Sequence, residues 1–331
     1  MKRDPIVDIL RATAILLIIL AHTNCPTWLT EFRGFDVVLC VILSGISFRY
    51  SSTIGKKISY IAYLKKRIKK LLLPTWGILL LIFGFSMVIN RSFEPFGVVK
   101  MIESFLLYDG IGYVWFVRVT LILAVSTPLV TGLYRFAERK RCHLLVLLVW
   151  ASIYYAVLAL YNAVILNVYI NYYFIYLFLI YFLGYGIVYY FGYAYQSFQI
   201  SGKISLTLIG SVLLTVGFFM GVTVSGDKYP PGALYLSYGV LWFVVLYEIL
   251  KHAGVRLCSR ATQYISENSF TIYLLHIIPL LLIKYCGRIA MFTDISFVIE
   301  YMFIIACTAF LLKVRTLIIK KVVTPVVQKR G

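Results

Sequence analysis

Residues 71-LLLPTWGILLLIFGFSMVI-89 run for 19 positions without a charge. Their apolar side chains lie all round the helical wheel rather than along one stripe, the mark of a helix with no water-facing side. A helix needs about 20 such residues to cross the hydrocarbon core of a bilayer. A membrane β-barrel would instead show shorter segments of alternating polarity. Comparable stretches recur at 6–23, 35–50, 112–133, 144–161, 170–192, 204–222, 233–250, 268–286 and 295–313. The reading is all-α: a polytopic transmembrane helix bundle of about ten spans. It is expected to be one integral membrane domain over 1–331, without a soluble C-terminal domain.

Composition agrees. Of 331 residues, 61% are hydrophobic and 14% charged, whereas soluble domains run roughly 45–50% apolar and about 25% charged. A soluble enzyme, a secreted disulfide scaffold and a disordered tail are all excluded. The opening 1-MKRDPIVDILRATAILLIILAH-22 carries Asp8 and Arg11 inside its apolar run and lacks a small-x-small cleavage site. It reads as a retained first helix rather than a secretory signal. The net charge of +19 invites a nucleic-acid reading. Its distribution answers that. With the N-terminus inside, alternate segments hold 24 Lys and Arg on the cytoplasmic side against six outside. This is the positive-inside bias of a membrane protein, with both termini cytoplasmic and no nucleic-acid partner. The six cysteines show no metal-binding spacing, no bound metal is expected, and spacing alone gives no ground for pairing Cys25 with Cys286.

Ionisable residues within spans are costly and mark a function or an internal pair. The first helix carries Asp8, Arg11 and His22. Arg11 and His22 fall within about 20° of one face and about 16 Å apart along the axis, with Ile15 and Ile18 between. An Asp8–Arg11 pair with His22 merely reaching outer water would also satisfy the pattern. In the ninth span, 266-SENSFTIYLLHIIP-279, Ser266, Ser269, Tyr273 and His276 share an arc of about 80°. Two histidine-bearing stripes favour a shared internal site. Ser44, Ser47 and Ser51 share a face of the second span, where packing is the simpler role. In 112-GYVWFVR-118, Trp115 and Arg118 stand one turn apart, and an interfacial belt accounts for a lone tryptophan. The basic run 56-KKISYIAYLKKRIKKLLLPTW-76 sets topology and attracts anionic membrane lipids, and also makes an electropositive mouth for a polyanionic donor. Residues 169–195 hold ten tyrosines. Packing and anchoring explain most of them, and an aromatic wall for a sugar or lipid is the functional alternative.

Taken in order, these pieces resemble the acyltransferase-3 family, integral membrane O-acyltransferases of bacterial surface glycans. The resemblance rests on 8-DILRATAILLIILAH-22, which has the Asp-x-x-Arg-x10-His pattern, then 43-LSGISF-48, 63-YLKKRIKKLLLP-74, 115-WFVR-118, 181-YFLGY-185 and 268-NSFTIYLLH-276. Many relatives have an acidic residue and Phe-Phe shortly before the LSG. Here 38-VLCVIL-43 stands instead and Asp36 lies about two positions early. Ala12 replaces a common Gly.

The resemblance implies transfer of an acyl group, most often acetyl, from acyl-CoA to a hydroxyl of a cell-surface or lipid-linked glycan at the bacterial inner membrane. No permanently bound cofactor is implied, since acetyl-CoA is a substrate. His22 would be the general base. Arg11, oriented by Asp8, would hold part of the donor. Tyr273 or His276 would stabilise the oxyanion or position the acceptor. Lys65, Lys66, Arg67, Lys69, Trp115 and Arg118 would serve donor binding, and Ser44 and Ser269 would serve the acceptor or packing. The rival class is an exporter or flippase of glycan intermediates. Transporters often carry internal repeats, and no repeat is visible here.

Overall fold

The computed structural model describes residues 4–54, 59–89, 97–108, 110–165, 176–254, 260–286 and 297–328. Every regular element among them is helical, as lipid demands of a segment that must satisfy its own backbone hydrogen bonds. Helix α1 (Pro5–Leu20) starts where the Asp4 side chain accepts from the Ile6 N–H at 2.9 Å and proline fills the first helical position. A six-residue helix, α2 (Thr27–Phe32), leads into α3 (Asp36–Ile54).

The helices that follow are α4 (Tyr60–Ile89), α5 (Val98–Leu106), α6 (Trp115–Val125), α7 (Thr127–Lys140), α8 (His143–Leu160), α9 (Tyr181–Ala194), α10 (Ile200–Phe219), α11 (Ala233–His252), α12 (Arg260–Glu267), α13 (Ser269–Leu275), α14 (Ile277–Cys286) and α15 (Phe297–Gln328). Among the described residues six helices are long and apolar enough to cross a membrane, and up to eight spans result if each of two bent pairs counts as one. The expected spans at 6–23 and 35–50 correspond to α1 and α3, which stay outside that count. They occupy the bundle interior, where neighbouring side chains rather than lipid set the composition. Burial tells the layers apart. Only 11% of Ser201–Phe219 is buried, against 72% of Phe178–Ser197.

The inner layer is built by close approach. A Cβ on Gly45 of α3 would strike the Tyr189 carbonyl, and one on Gly192 of α9 would strike the Ile42 carbonyl. Each glycine thus lets the other helix's backbone in, as small residues do between membrane helices. Helix α3 makes its largest packing surface with α9, and α1 lies against α3 and α12.

Two expected spans are broken. At 112–133 the chain bends by 54° between α6 and α7. Pro128 has no N–H for the Ala124 carbonyl, and the Thr127 hydroxyl donates to that carbonyl instead, at 2.9 Å. At the start of the expected span 268–286 the chain bends by 68° between α12 and α13. There the Asn268 side-chain amide and backbone N–H both donate to the Tyr264 carbonyl, at 2.9 and 3.1 Å. A further interruption falls at His276, three residues before Pro279, which cannot donate to the Leu275 carbonyl. Of the tyrosine-rich stretch, Tyr169, Tyr172 and Tyr173 lie outside the described residues.

Candidate active site

The stripe on α1 meets the broken helix at both ends. Near its start, Ser266 of α12 donates to Asp8 at 2.6 Å, and Arg11 Nη1 donates to the same serine oxygen at 3.4 Å. Arg11 Nη2 donates to Ser47 of α3, whose own hydroxyl donates to the Leu43 carbonyl at 2.6 Å. Asp8 is buried and Arg11 half-buried. The cluster therefore joins three helices through two serines that each accept from one guanidinium. Lys70 of α4 lies within electrostatic reach of Arg11, so the basic run adjoins this end of the stripe.

At the other end His22 and His276 stack, with ring centroids 5.3 Å apart and planes inclined by 26°. Tyr113 meets His22 edge-on at 5.2 Å, and Tyr273 packs on His276 at 5.7 Å. The Tyr273 hydroxyl donates to the Tyr113 carbonyl. His22 is half-buried. His276 is completely buried, and neither of its ring nitrogens has a hydrogen-bond partner among the described residues. Buried polar atoms are nearly always bonded, and leaving one unbonded costs about 1–3 kcal/mol. Ring stacking places His276 but leaves its hydrogen-bonding capacity unused.

Because Asp8 meets Ser266 and His22 meets His276, α1 and the α12–α14 segment run in the same direction. Between the two clusters Ile15 and Ile18 are buried. Beside His22 lies a third group. Arg33 pairs with the fully buried Asp36 at 2.6 Å. Lys228 stands 5.9 Å over the Trp115 ring and 5.4 Å over the Tyr229 ring. Both Lys228 and Arg33 reach His22 electrostatically.

The remaining expected residues take various places. Lys65, Lys66 and Lys69 are exposed on α4, and Arg67 donates to the Tyr63 hydroxyl at 3.5 Å. Trp115 packs with Tyr229, Tyr185 and Tyr181 near Lys228. Arg118 donates to the Leu107 carbonyl at 2.9 Å and to that of Tyr108, tying down the end of α5. It also lines an apolar cavity of about 730 Å³ with Trp76, Phe105 and Phe182. Ser44 bonds back to the Cys40 carbonyl at 2.8 Å, a packing arrangement. Ser269 is half-buried at the start of α13.

Sequence reasoning left Ser47 to packing and gave Tyr113, Lys228 and Tyr229 no part in the site. The signals for the last two were slight, a lysine and a tyrosine in the turn-rich 226-GDKYPPG-232.

A family model described as an acyltransferase domain, that of the acyltransferase-3 family, matches residues 4–314. No curated protein and no solved structure matches the chain. The match spans most of the sequence, and the chain belongs to the acyltransferase-3 family.

Proposed function

We propose that this membrane acyltransferase moves an acyl group, in the simplest case acetyl, from cytosolic acyl-CoA to a hydroxyl of a cell-surface or lipid-linked glycan at the bacterial inner membrane. One observation carries the reading: the stripe that begins on α1 joins a guanidinium beside a basic helix face to a half-buried histidine backed by a second one with no hydrogen bond among the described residues. The basic end suits a donor bearing several phosphate charges. The histidine end suits proton transfer, since a neutral imidazole nitrogen accepts a proton and its N–H donates one.

The roles follow from the contacts. Lys65, Lys66, Arg67 and Lys69 attract the donor's phosphates. Arg11 holds part of the donor, kept in place by Ser47, Ser266 and, through Ser266, Asp8. The acceptor hydroxyl gives its proton to a His22 ring nitrogen as its oxygen bonds to the thioester carbonyl carbon. His276 donates a hydrogen bond to the resulting oxyanion. Tyr273 has its hydroxyl committed to the Tyr113 carbonyl, so it orients the pair rather than the substrate. Collapse of the intermediate breaks the C–S bond, and the proton on His22 passes to the departing thiolate. An ester and free coenzyme A thiol result.

Parity supports the ten-span arrangement. Helices running in the same direction need an odd number of crossings between them. Between α1 and the α12–α14 segment lie α3, α4, the α6–α7 pair, α8, α9, α10 and α11, an odd set only if α3 crosses. A reporter fused after Arg141 is then expected in the cytoplasm and one near Asp227 on the outer side. The function is tested on glycan from deletion and complemented cells by mass spectrometry. Loss of ester-linked acyl groups with chain length and amount preserved is expected. Loss of exported glycan would instead indicate a transporter.

A further inference from the structure

We infer that Lys228, Trp115 and Tyr229 form an acceptor subsite beside His22 that recognises an anionic group, a carboxylate or a phosphate, on the glycan. The inference rests on the proposed acyl transfer to a glycan and specifies the chemical class of acceptor.

The first support is the placement of the ammonium. Lys228 Nζ lies over two aromatic rings, 5.9 Å from the centre of Trp115 and 5.4 Å from that of Tyr229. The rings meet edge to face at 5.4 Å. Aromatic faces attract a cation and hold it without neutralising it.

The second support is that the neighbouring carboxylates are engaged elsewhere. Among the described residues no carboxylate forms an ion pair with Lys228. Asp36 is within electrostatic reach but is held by Arg33 at 2.6 Å. Asp227, next in sequence, accepts from the Tyr235 N–H at 3.1 Å in the first turn of α11, where a helix favours negative charge.

The third support is that the loop is held. The Gly232 N–H donates to the Asp227 carbonyl at 2.8 Å, and the Tyr154 hydroxyl donates to the Pro231 carbonyl at 2.8 Å. Lys228 is therefore not on a free tether. Burial pushes its ammonium below the ordinary lysine range, with Asp36 opposing, so a bound anion would restore an interaction that desolvation removed.

The fourth support is continuity with the histidines. From Trp115 the rings pass through Phe116 at 6.0 Å to Tyr273 at 5.7 Å and then to His276 at 5.7 Å. Lys228 itself reaches His22 electrostatically, so an anionic group held at its ammonium would bring the rest of the glycan beside the histidine pair. Tyr181 and Tyr185, from the tyrosine-rich stretch, back Trp115 at 6.3 and 6.1 Å.

The test uses the full chain in lipid nanodiscs with three probes: an oligosaccharide carrying one uronic acid, its carboxyl-reduced counterpart, and a glycosyl phosphate. Binding is measured by calorimetry and transfer from acetyl-CoA by mass spectrometry, for wild type, Lys228→Gln and Lys228→Arg. Wild type is expected to bind at least one anionic probe about tenfold or more tighter than the neutral one, the scale of a hydrogen bond to a charged group. Lys228→Gln should bring that ratio close to one, and Lys228→Arg should retain most of it. Whether the uronic acid or the glycosyl phosphate shows the preference names the source of the anion. Equal binding of all probes by wild type, or a ratio unchanged in Lys228→Gln, would overturn the subsite and leave Lys228 as a residue facing lipid headgroups. Lys228-dependent binding without ester formation would instead overturn acyl transfer to a glycan and leave the anion site standing.

Discussion

At the Asp8 end of α1, charged and hydroxyl groups bond to one another: Ser266 to Asp8, Arg11 to Ser266 and Ser47. Eleven residues beyond Arg11, in the turn just past the end of the same helix, His22 lies against His276, and the contact is ring on ring, with both His276 nitrogens unbonded among the described residues. The first cluster is finished as a structure. The second is complete in packing and incomplete in hydrogen bonding. A polar group satisfied inside the fold fixes geometry, whereas one left unsatisfied at a cost is poised for what arrives there. The comparison assigns positioning to one end and chemistry to the other, and each substitution below probes one side of it.

The largest effect is expected at His22. His22→Ala should lower ester formation per membrane-inserted enzyme by about 10²–10⁴, the usual loss when a general base is removed. The half-buried ring makes no side-chain hydrogen bond among the described residues, so the unfolding temperature should hold. Acylation near wild type would end the general-base role and move it to His276.

His276→Phe comes next and separates packing from chemistry. Phenylalanine fills the site and removes two unbonded buried nitrogens, so stability should be unchanged or slightly higher. Turnover should fall by about 10², as when an oxyanion donor is lost. A marked drop in melting temperature with activity retained would mean the ring is only a core side chain.

Arg11→Lys tests the finished end. An ammonium cannot span two serines as the guanidinium fork does. Donor KM should rise about tenfold, the scale of one hydrogen bond to a charged group, with turnover at saturating donor less affected. A pure loss of turnover would place Arg11 at the chemistry rather than in donor binding.

The stripe on α1 was legible because helical periodicity returns to the same face after eleven residues. Its partners were not. Periodicity says which side of a helix a residue occupies, not what faces it, so Ser47 read as packing and the bond from Ser266 to Asp8 had no sequence signal, while the two histidine-bearing stripes pointed to a shared site without showing the ring contact. The 54° bend was foreshadowed by Pro128, whereas the 68° bend falls at Asn268, where no proline or hydropathy pattern marks it. Helices α1 and α3 resembled spans, yet α1 is only 16 residues long, because its regular helix stops at Leu20 before the turn that carries His22. Lys228 entered only the charge balance, since a lone loop lysine gives no hint of the rings beneath it.

Ser266→Ala should have the smallest effect on catalysis and is the most direct probe of the finished cluster. The serine donates to Asp8 and accepts from Arg11, so its loss removes a bond from two charged groups while the backbone stays as it is. Asp8 is buried, and leaving part of its hydrogen-bonding capacity unmet costs about 1–3 kcal/mol. That cost should appear as a lower unfolding temperature with donor KM raised only a few-fold, because Arg11 keeps its bond to Ser47. Adding Asp8→Asn should then cost less than it does in wild type, since residues of one network couple. Strict additivity of the two substitutions would mean that Ser266 does not connect Asp8 to Arg11, and the Asp8 end of α1 would lose its claim to be one positioned unit.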